Sequence, residues 1–251
     1  MTLLRTHEHD GRVAILTLSD PGRRNALGLE LSGQLAGAIA ECDRDESVHA
    51  VVITGAPPAF CAGADLTALA AAGQSGSETD LHGIYAGFLA VANAALPTIA
   101  AVNGPAVGAG LNLALACDVR LAGPGAMFDA RFLQLGLHPG GGMTWLAQRA
   151  VGWQTTAAMA LFGQPMDAAE ALRTGLVHRL IEVDADPRSP AAQQAVVAAA
   201  VDLARRAADA ARELVIATKA ALRATAAMPQ HADAVAYETA PQLASLRSRA
   251  L

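Results

Sequence analysis

Two short loops carry the residue types best suited to chemistry on a carbonyl group: Ala59-Phe60-Cys61-Ala62-Gly63-Ala64-Asp65-Leu66 and Asn103-Gly104-Pro105-Ala106-Val107-Gly108-Ala109-Gly110. Each leaves an apolar run and enters a helical stretch, so each can aim backbone N–H groups at a single point. An oxyanion hole can be built this way without side chains. Small residues suit the task because a carbonyl oxygen must come within about 3 Å of the backbone nitrogens, and bulkier neighbours would block the approach. Taken singly, either loop also fits a tight turn with no chemistry attached. Taken together, they point to a carbonyl-polarising site.

Ionisable residues near these loops are candidates for moving protons. Asp65 is placed to cap the following helix or to hydrogen-bond its own loop. In Phe128-Asp129-Ala130-Arg131-Phe132, Arg131 can pair with Asp129, with a substrate carboxylate or with a neighbouring subunit. His138, within Gly136-Leu137-His138-Pro139-Gly140-Gly141-Gly142, is of the residue type that changes protonation near neutral pH, although loop histidines are commonly structural. His82 and Tyr85 follow a Gly-Ser-rich stretch, Gly73 to Ser77, that reads either as a mobile lid or as a plain surface loop. Lys219 reads as a solvated helix lysine, with electrostatic help to a bound ligand as the alternative. Cys42, Cys61 and Cys117 are odd in number and widely spaced, so neither a disulfide framework nor a zinc site is expected, and no metal site is assigned.

Around the loops the chain alternates β-rich runs with helical stretches, which predicts an α/β fold. Arg12 to Ser19 is apolar on both alternating faces, as a buried strand would be; Ala50 to Thr54, Thr98 to Val102 and Val119 to Ala122 read as further strands. Helical spacing covers Leu29 to Cys42 and Leu81 to Ala95, and Gly108 to Ala116 reads as a buried helix. From Met143 the chain becomes mostly helical. Asp167 is a good N-cap and Gly175 a good C-cap for Ala168 to Thr174, with Glu170 placed for a capping box. Asp184 to Pro190 is linker-like, ahead of helices over 191–208, 212–226 and 231–247.

At 251 residues, 53% hydrophobic and 16% charged, the chain can fill one large core and is not of disordered composition. Its apolar excess suggests surface buried between subunits. The net charge of −5 gives no general attraction to nucleic acid or to an anionic membrane. With no signal-like or membrane-spanning run, a cytoplasmic location is expected.

The two loops resemble the crotonase superfamily, also called the enoyl-CoA hydratase/isomerase family. Further matching segments are Arg23-Arg24-Asn25-Ala26-Leu27, Ala116-Cys117-Asp118, Gly136 to Gly142, and Asp167-Ala168-Ala169-Glu170-Ala171 leading to Gly175-Leu176-Val177, so the resemblance spans nearly the whole chain. It implies a crotonase-like core of repeated ββα units over residues 1–185, then a helical region over 186–251 used in trimerisation. A homotrimer or a dimer of trimers would follow. The implied substrate is an acyl-CoA thioester, with CoA part of the substrate and no separate cofactor. The implied chemistry is of the lyase or isomerase class, through a thioester enolate. Ala62 and Ala109 match the oxyanion-hole N–H positions. Arg24, Ala26 and Leu27 match positions that hold the CoA moiety, with Arg23 or Arg24 available to a phosphate. Ala64, Asp65, Leu66, Gly108, Asn112, Phe132 and Pro139 fall within the implied substrate site.

Family hydratases place two glutamates over the substrate, and the matching residues here are Asn112 and Phe132. Neither can relay a proton at neutral pH. The resemblance therefore implies one of two things. Either proton transfer is reassigned to Asp129 or His138, or the chain is a non-catalytic acyl-CoA binding or delivery protein whose hole is a thioester clasp.

Overall fold

A computed structural model describes residues 1–183, 186, 187 and 189–248, the side chain of Ser248 excepted. Asp184, Ala185 and Arg188 of the linker-like stretch lie outside the described residues. The fold is α/β. Its main sheet has six strands in the order β1-β2-β3-β4-β6-β9: β1 (Thr2–Glu8), β2 (Val13–Ser19), β3 (Ala50–Gly55), β4 (Thr98–Val102), β6 (Val119–Ala122) and β9 (Arg179–Leu180). Only the β1·β2 pair is antiparallel. A smaller sheet pairs β5 (Pro105–Val107) with β7 (Met127–Asp129) in parallel and β7 with β8 (Met166–Asp167) antiparallel.

Both faces of the main sheet are buried, as the uninterrupted apolar strands require. One face packs Ala14, Leu16, Val51 and Ile53 against α1 (Leu29–Arg44), α3 (Glu78–Asn93), α4 (Ala109–Ala116) and α5 (Met143–Phe162). The other sets Val13, Ile15, Val52 and Leu121 against Val196, Ala200 and Ala204 of α7 (Pro190–Ala208). Each fully buried Leu, Ile or Val contributes about 1.5–3 kcal/mol, so the helix on this second face is held by its alternate turns of Val and Ala. α6 (Ala168–Thr174), α8 (Arg212–Thr225) and α9 (His231–Ser248) complete the larger helices after α5.

The N-cap and C-cap of α6 hold, the Asp167 carboxylate accepting from Glu170 N and Gly175 closing the helix in the left-handed region, while the Glu170 carboxylate pairs with Arg173. All eight residues of α4 are buried. Two local expectations change. Gly73 to Ser77 is not an open loop, because α2 (Leu66–Ser75) runs through Gly73 to Ser75. A left-handed Gly76 then ends that helix and Ser77 caps α3 through Asp80 N. Lys219 is not solvated. It is 6% exposed on α8, its Nζ 2.6 Å from Asp118 Oδ2 and 2.6 Å from the Leu96 carbonyl oxygen, tying α8 to the ends of β4 and β6.

Candidate active site

The first loop is organised from a distance by Asn25. Its side chain is wholly buried, and Nδ2 donates to the carbonyls of Ala56 and Ala59 at 2.8 Å and Phe60 at 3.3 Å, while Oδ1 accepts from Asp20 N. Asn25 itself sits in the left-handed region at φ 61°, which an asparagine tolerates better than most residues. Cys61 then stitches the first loop to the second: Cys61 N donates to Pro105 O and Val107 N donates to Cys61 O. The loops approach so closely that a Cβ on Gly110 would lie 2.1 Å from Cys61 O, which only glycine avoids.

Backbone pairing decides which N–H groups remain available. Ala62 N donates to Arg24 O at 2.9 Å, so Ala62 does not offer the free donor expected of it. Leu27 brackets the next turn, with Leu27 N donating to Gly63 O and Asp65 N to Leu27 O. Between those two bonds the N–H of Ala64 points the other way, and among the described residues it has no protein acceptor. On the second loop, Gly108 N donates to Asp129 O, and Ala109 is the first residue of α4. Its N–H is one of the donors that a helix start leaves unpaired, and the helix dipole adds positive potential there. Ala64 and Ala109 line the same cavity of about 960 Å³.

The other residues singled out from sequence divide between cavity wall and scaffold. Arg24, Leu66, Gly108, Asn112, Phe132 and His138 line the cavity. Ala26, Leu27, Asp65, Asp129, Pro139 and His82 are not in its lining. Asp65 is a helix cap: Oδ1 accepts from Thr67 N and Ala68 N, and Oδ2 pairs with Arg23 at 2.9 Å. Arg23 is thus shared between Asp20 and Asp65, whereas Arg24, exposed at the cavity, has no ion-pair partner among the described residues. Asp129 is 2% exposed and its carboxylate is taken up by Arg131, with Oδ1 accepting from Arg131 N and Oδ2 from Nε and Nη2.

Asn112, 1% exposed, donates from Nδ2 to Gly140 O at 2.9 Å, and its Oδ1 is a buried acceptor with no partner among the described residues. The carbonyl can only accept, which fixes the amide orientation. The same reasoning applies to His138. Its Nδ1 lies 2.7 Å from Pro139 O, so that nitrogen carries the hydrogen and Nε2 keeps the lone pair in the neutral ring. Tyr85 also lines the cavity, and burial pushes its phenol above the ordinary value. No group of His, Cys, Asp and Glu among the described residues could hold a metal ion.

The organising role of Asn25 and the free donor on Ala64 go beyond what the sequence reading assigned. Comparison with known proteins gives the constellation its context. Residues 8–246 match the model of a family described as enoyl-CoA hydratase/isomerase. A probable enoyl-CoA hydratase of Mycobacterium tuberculosis is 53% identical over 244 residues, covering 95% of this chain and 91% of the relative. A putative enoyl-CoA hydratase structure from Streptomyces coelicolor superposes with a TM-score of 0.85 at 33% identity, over 98% of this chain and 87% of that one. An enoyl-CoA hydratase from Bacillus anthracis, at 24% identity, shares the fold with a TM-score of 0.89 over 99% of this chain and 92% of its own. With the family model covering nearly its whole length, this chain belongs to the enoyl-CoA hydratase/isomerase family.

Proposed function

We propose that the protein is an enzyme acting on an acyl-CoA thioester, and that it stabilises a thioester enolate with the backbone N–H groups of Ala64 and Ala109. The observation that carries this reading is that two N–H groups on opposed loops line one cavity and have no acceptor among the described residues. Ala64 replaces Ala62 as the first donor because the Ala62 N–H is occupied by Arg24 O. The exposed guanidinium of Arg24 is the group proposed to meet a CoA phosphate, and CoA is part of the substrate.

His138 is the proposed base. Its Nε2 takes the proton from the α-carbon, the C–H electron pair becomes the C=C bond of the enolate, and the carbonyl π pair moves onto the oxygen held by the two N–H groups. Asp129, whose carboxylate already accepts three hydrogen bonds from Arg131, is the weaker candidate. On the family pattern Asn112 and Phe132 stand where hydratases carry glutamates, so hydration of a simple enoyl thioester should be slow.

That substitution also favours a second reading, a non-catalytic acyl-CoA binding or delivery protein that keeps the hole as a clasp. Exchange of the α-proton of butyryl-CoA for deuterium separates the two, because enolate formation alone produces the signal. Exchange that disappears in His138→Ala while butyryl-CoA still binds supports the enzyme and its base. Tight binding with no exchange in the parent protein supports the carrier. We further propose that copies assemble as a homotrimer or a dimer of trimers through the helical region 186–251. Exposed Val235, Tyr237, Leu243 and Leu246 on α9 support this.

A further inference from the structure

Arg131 is held at the cavity wall in an uncommon backbone conformation. It is a non-glycine residue at φ 56°, in the left-handed region that residues with a Cβ seldom adopt, and its side chain is about half exposed to the cavity it lines. Holding it there is a carboxylate that is itself 3% exposed. Asp129 makes no other side-chain hydrogen bond among the described residues: both oxygens accept from Arg131, one from the backbone N–H and the other from Nε and Nη2. A buried acid given over entirely to one arginine fixes the plane of the guanidinium, as an outer carboxylate fixes the ring of a metal-binding histidine.

The edge formed by Nε and Nη2 is therefore taken. Nη1 has no partner among the described residues, so the end-on Nη1/Nη2 fork remains for a ligand. The neighbouring wall is apolar, formed by Met127, Ala130, Phe132, Leu135 and Leu137. A plain alkyl chain lying on this wall would cover a polar fork and offer it nothing. A chain ending in a carboxylate would meet it in the bidentate geometry that arginine favours, with the guanidinium standing between the two acids.

Position favours the acyl end of the substrate over the nucleotide end. Asp129 O accepts from Gly108 N, one residue before the donor on Ala109, so Arg131 emerges beside the proposed reaction centre. Arg24, on the segment between β2 and α1, is the separate cation proposed for phosphate. Resting on the thioester reading above, we infer that Arg131, held by Asp129, is a specificity-determining residue for acyl-CoA thioesters whose acyl chain carries a carboxylate.

The test uses the full chain and paired, hydrolysis-resistant 2-oxoalkyl-CoA ketones of equal chain length that end either in a methyl group or in a carboxylate. Calorimetric titration should show the carboxylate member of at least one pair binding about tenfold or more tightly than its methyl partner. Arg131→Met should bring the two together while leaving the methyl-ended affinity within about twofold, which also reports that the variant is folded. Arg131→Lys keeps the charge but not the fork and should restore only part of the preference. Asp129→Asn should reduce the preference by loosening the guanidinium. Equal affinities within every pair in the parent protein would overturn the inference and leave the thioester reading standing. Equal weakening of both members by Arg131→Met would also overturn it, assigning Arg131 to the CoA phosphates. Binding of neither member at any length would remove the thioester reading as well.

Discussion

At the scale of single residues, the distinction between Ala62 and Ala64 is open to a direct test. Proline removes a backbone donor, and at the first position of a helix it fits the backbone, so Ala109→Pro should fold. α-Proton exchange should then fall about 100-fold, the cost typical of losing one oxyanion donor, with thioester affinity reduced and the affinity of a carbonyl-free analogue unchanged. Ala62→Pro should instead lower the melting temperature, because it breaks the bond to Arg24 O that shapes the loop. On the proposed reading, Asn112→Glu with Phe132→Glu should raise crotonyl-CoA hydration, since each restored acid/base group is worth about 10²–10⁴-fold. A hydration rate no higher than the parent's would mean that the cavity no longer presents the β-carbon to these positions. Which alanine carries the free N–H was not legible in the sequence, because it depends on the carbonyl of Arg24 and on both backbone groups of Leu27, more than thirty residues upstream.

At the scale of elements, legibility follows the range of the forces involved. β4 is readable to the residue because it is an unbroken β-branched or apolar run between turn residues, and β6 because Val119, Leu121 and Ala122 stand between Asp118 and Gly123 with Arg120 as the one polar interruption. The cap of α6 was readable because Asp167 and Glu170 N are three residues apart. β5 and β7 were not. Each has three residues, and they exist as strands only through pairing with partners more than twenty residues away in the chain. β1 escaped notice because an edge strand with Arg5, His7 and Glu8 carries polar residues on both faces. Lys219 was misjudged for a related reason: nothing near it in sequence reveals Asp118. Lys219→Met should cost about 2 kcal/mol in urea unfolding. That is less than the roughly 3–5 kcal/mol of a fully buried pair, because Asp118 is one-third exposed and keeps two hydrogen bonds from Thr98. No loss of stability would show that α8 is held by its apolar contacts alone.

At the scale of the whole molecule, burial of titratable groups sets the alkaline limit of stability. Burial raises the thiols of Cys42 to about 11 and of Cys61 and Cys117 to about 12, from an ordinary 9.0. Below 9 these groups are neutral in both folded and unfolded chains and contribute no pH dependence. Above 9 the unfolded chain loses its thiol protons while the folded chain keeps them, so stability falls as pH rises, by about 1.4 kcal/mol per pH unit for each thiol up to its folded value. Lys219, lowered by burial from 10.5, acts in the opposite sense but only below 10.5. Urea midpoints under reducing conditions should therefore decline steeply above pH 9, and Cys61→Ala should flatten part of that decline. Lys219 has a second consequence at this scale, because it is the only lysine among 18 lysine and arginine residues. Activated thioesters spontaneously transfer their acyl groups to unprotonated amines, and the other 17 of these residues are arginines, whose guanidinium stays protonated and has no free lone pair to attack with. With its single ε-amine buried and ion-paired, the protein is built to sit in its proposed substrate without being modified by it. Prolonged incubation with a reactive acyl-CoA should leave Lys219 unlabelled, as read by peptide mass mapping, whereas Asp118→Asn, which frees the amine, should bring a label to it.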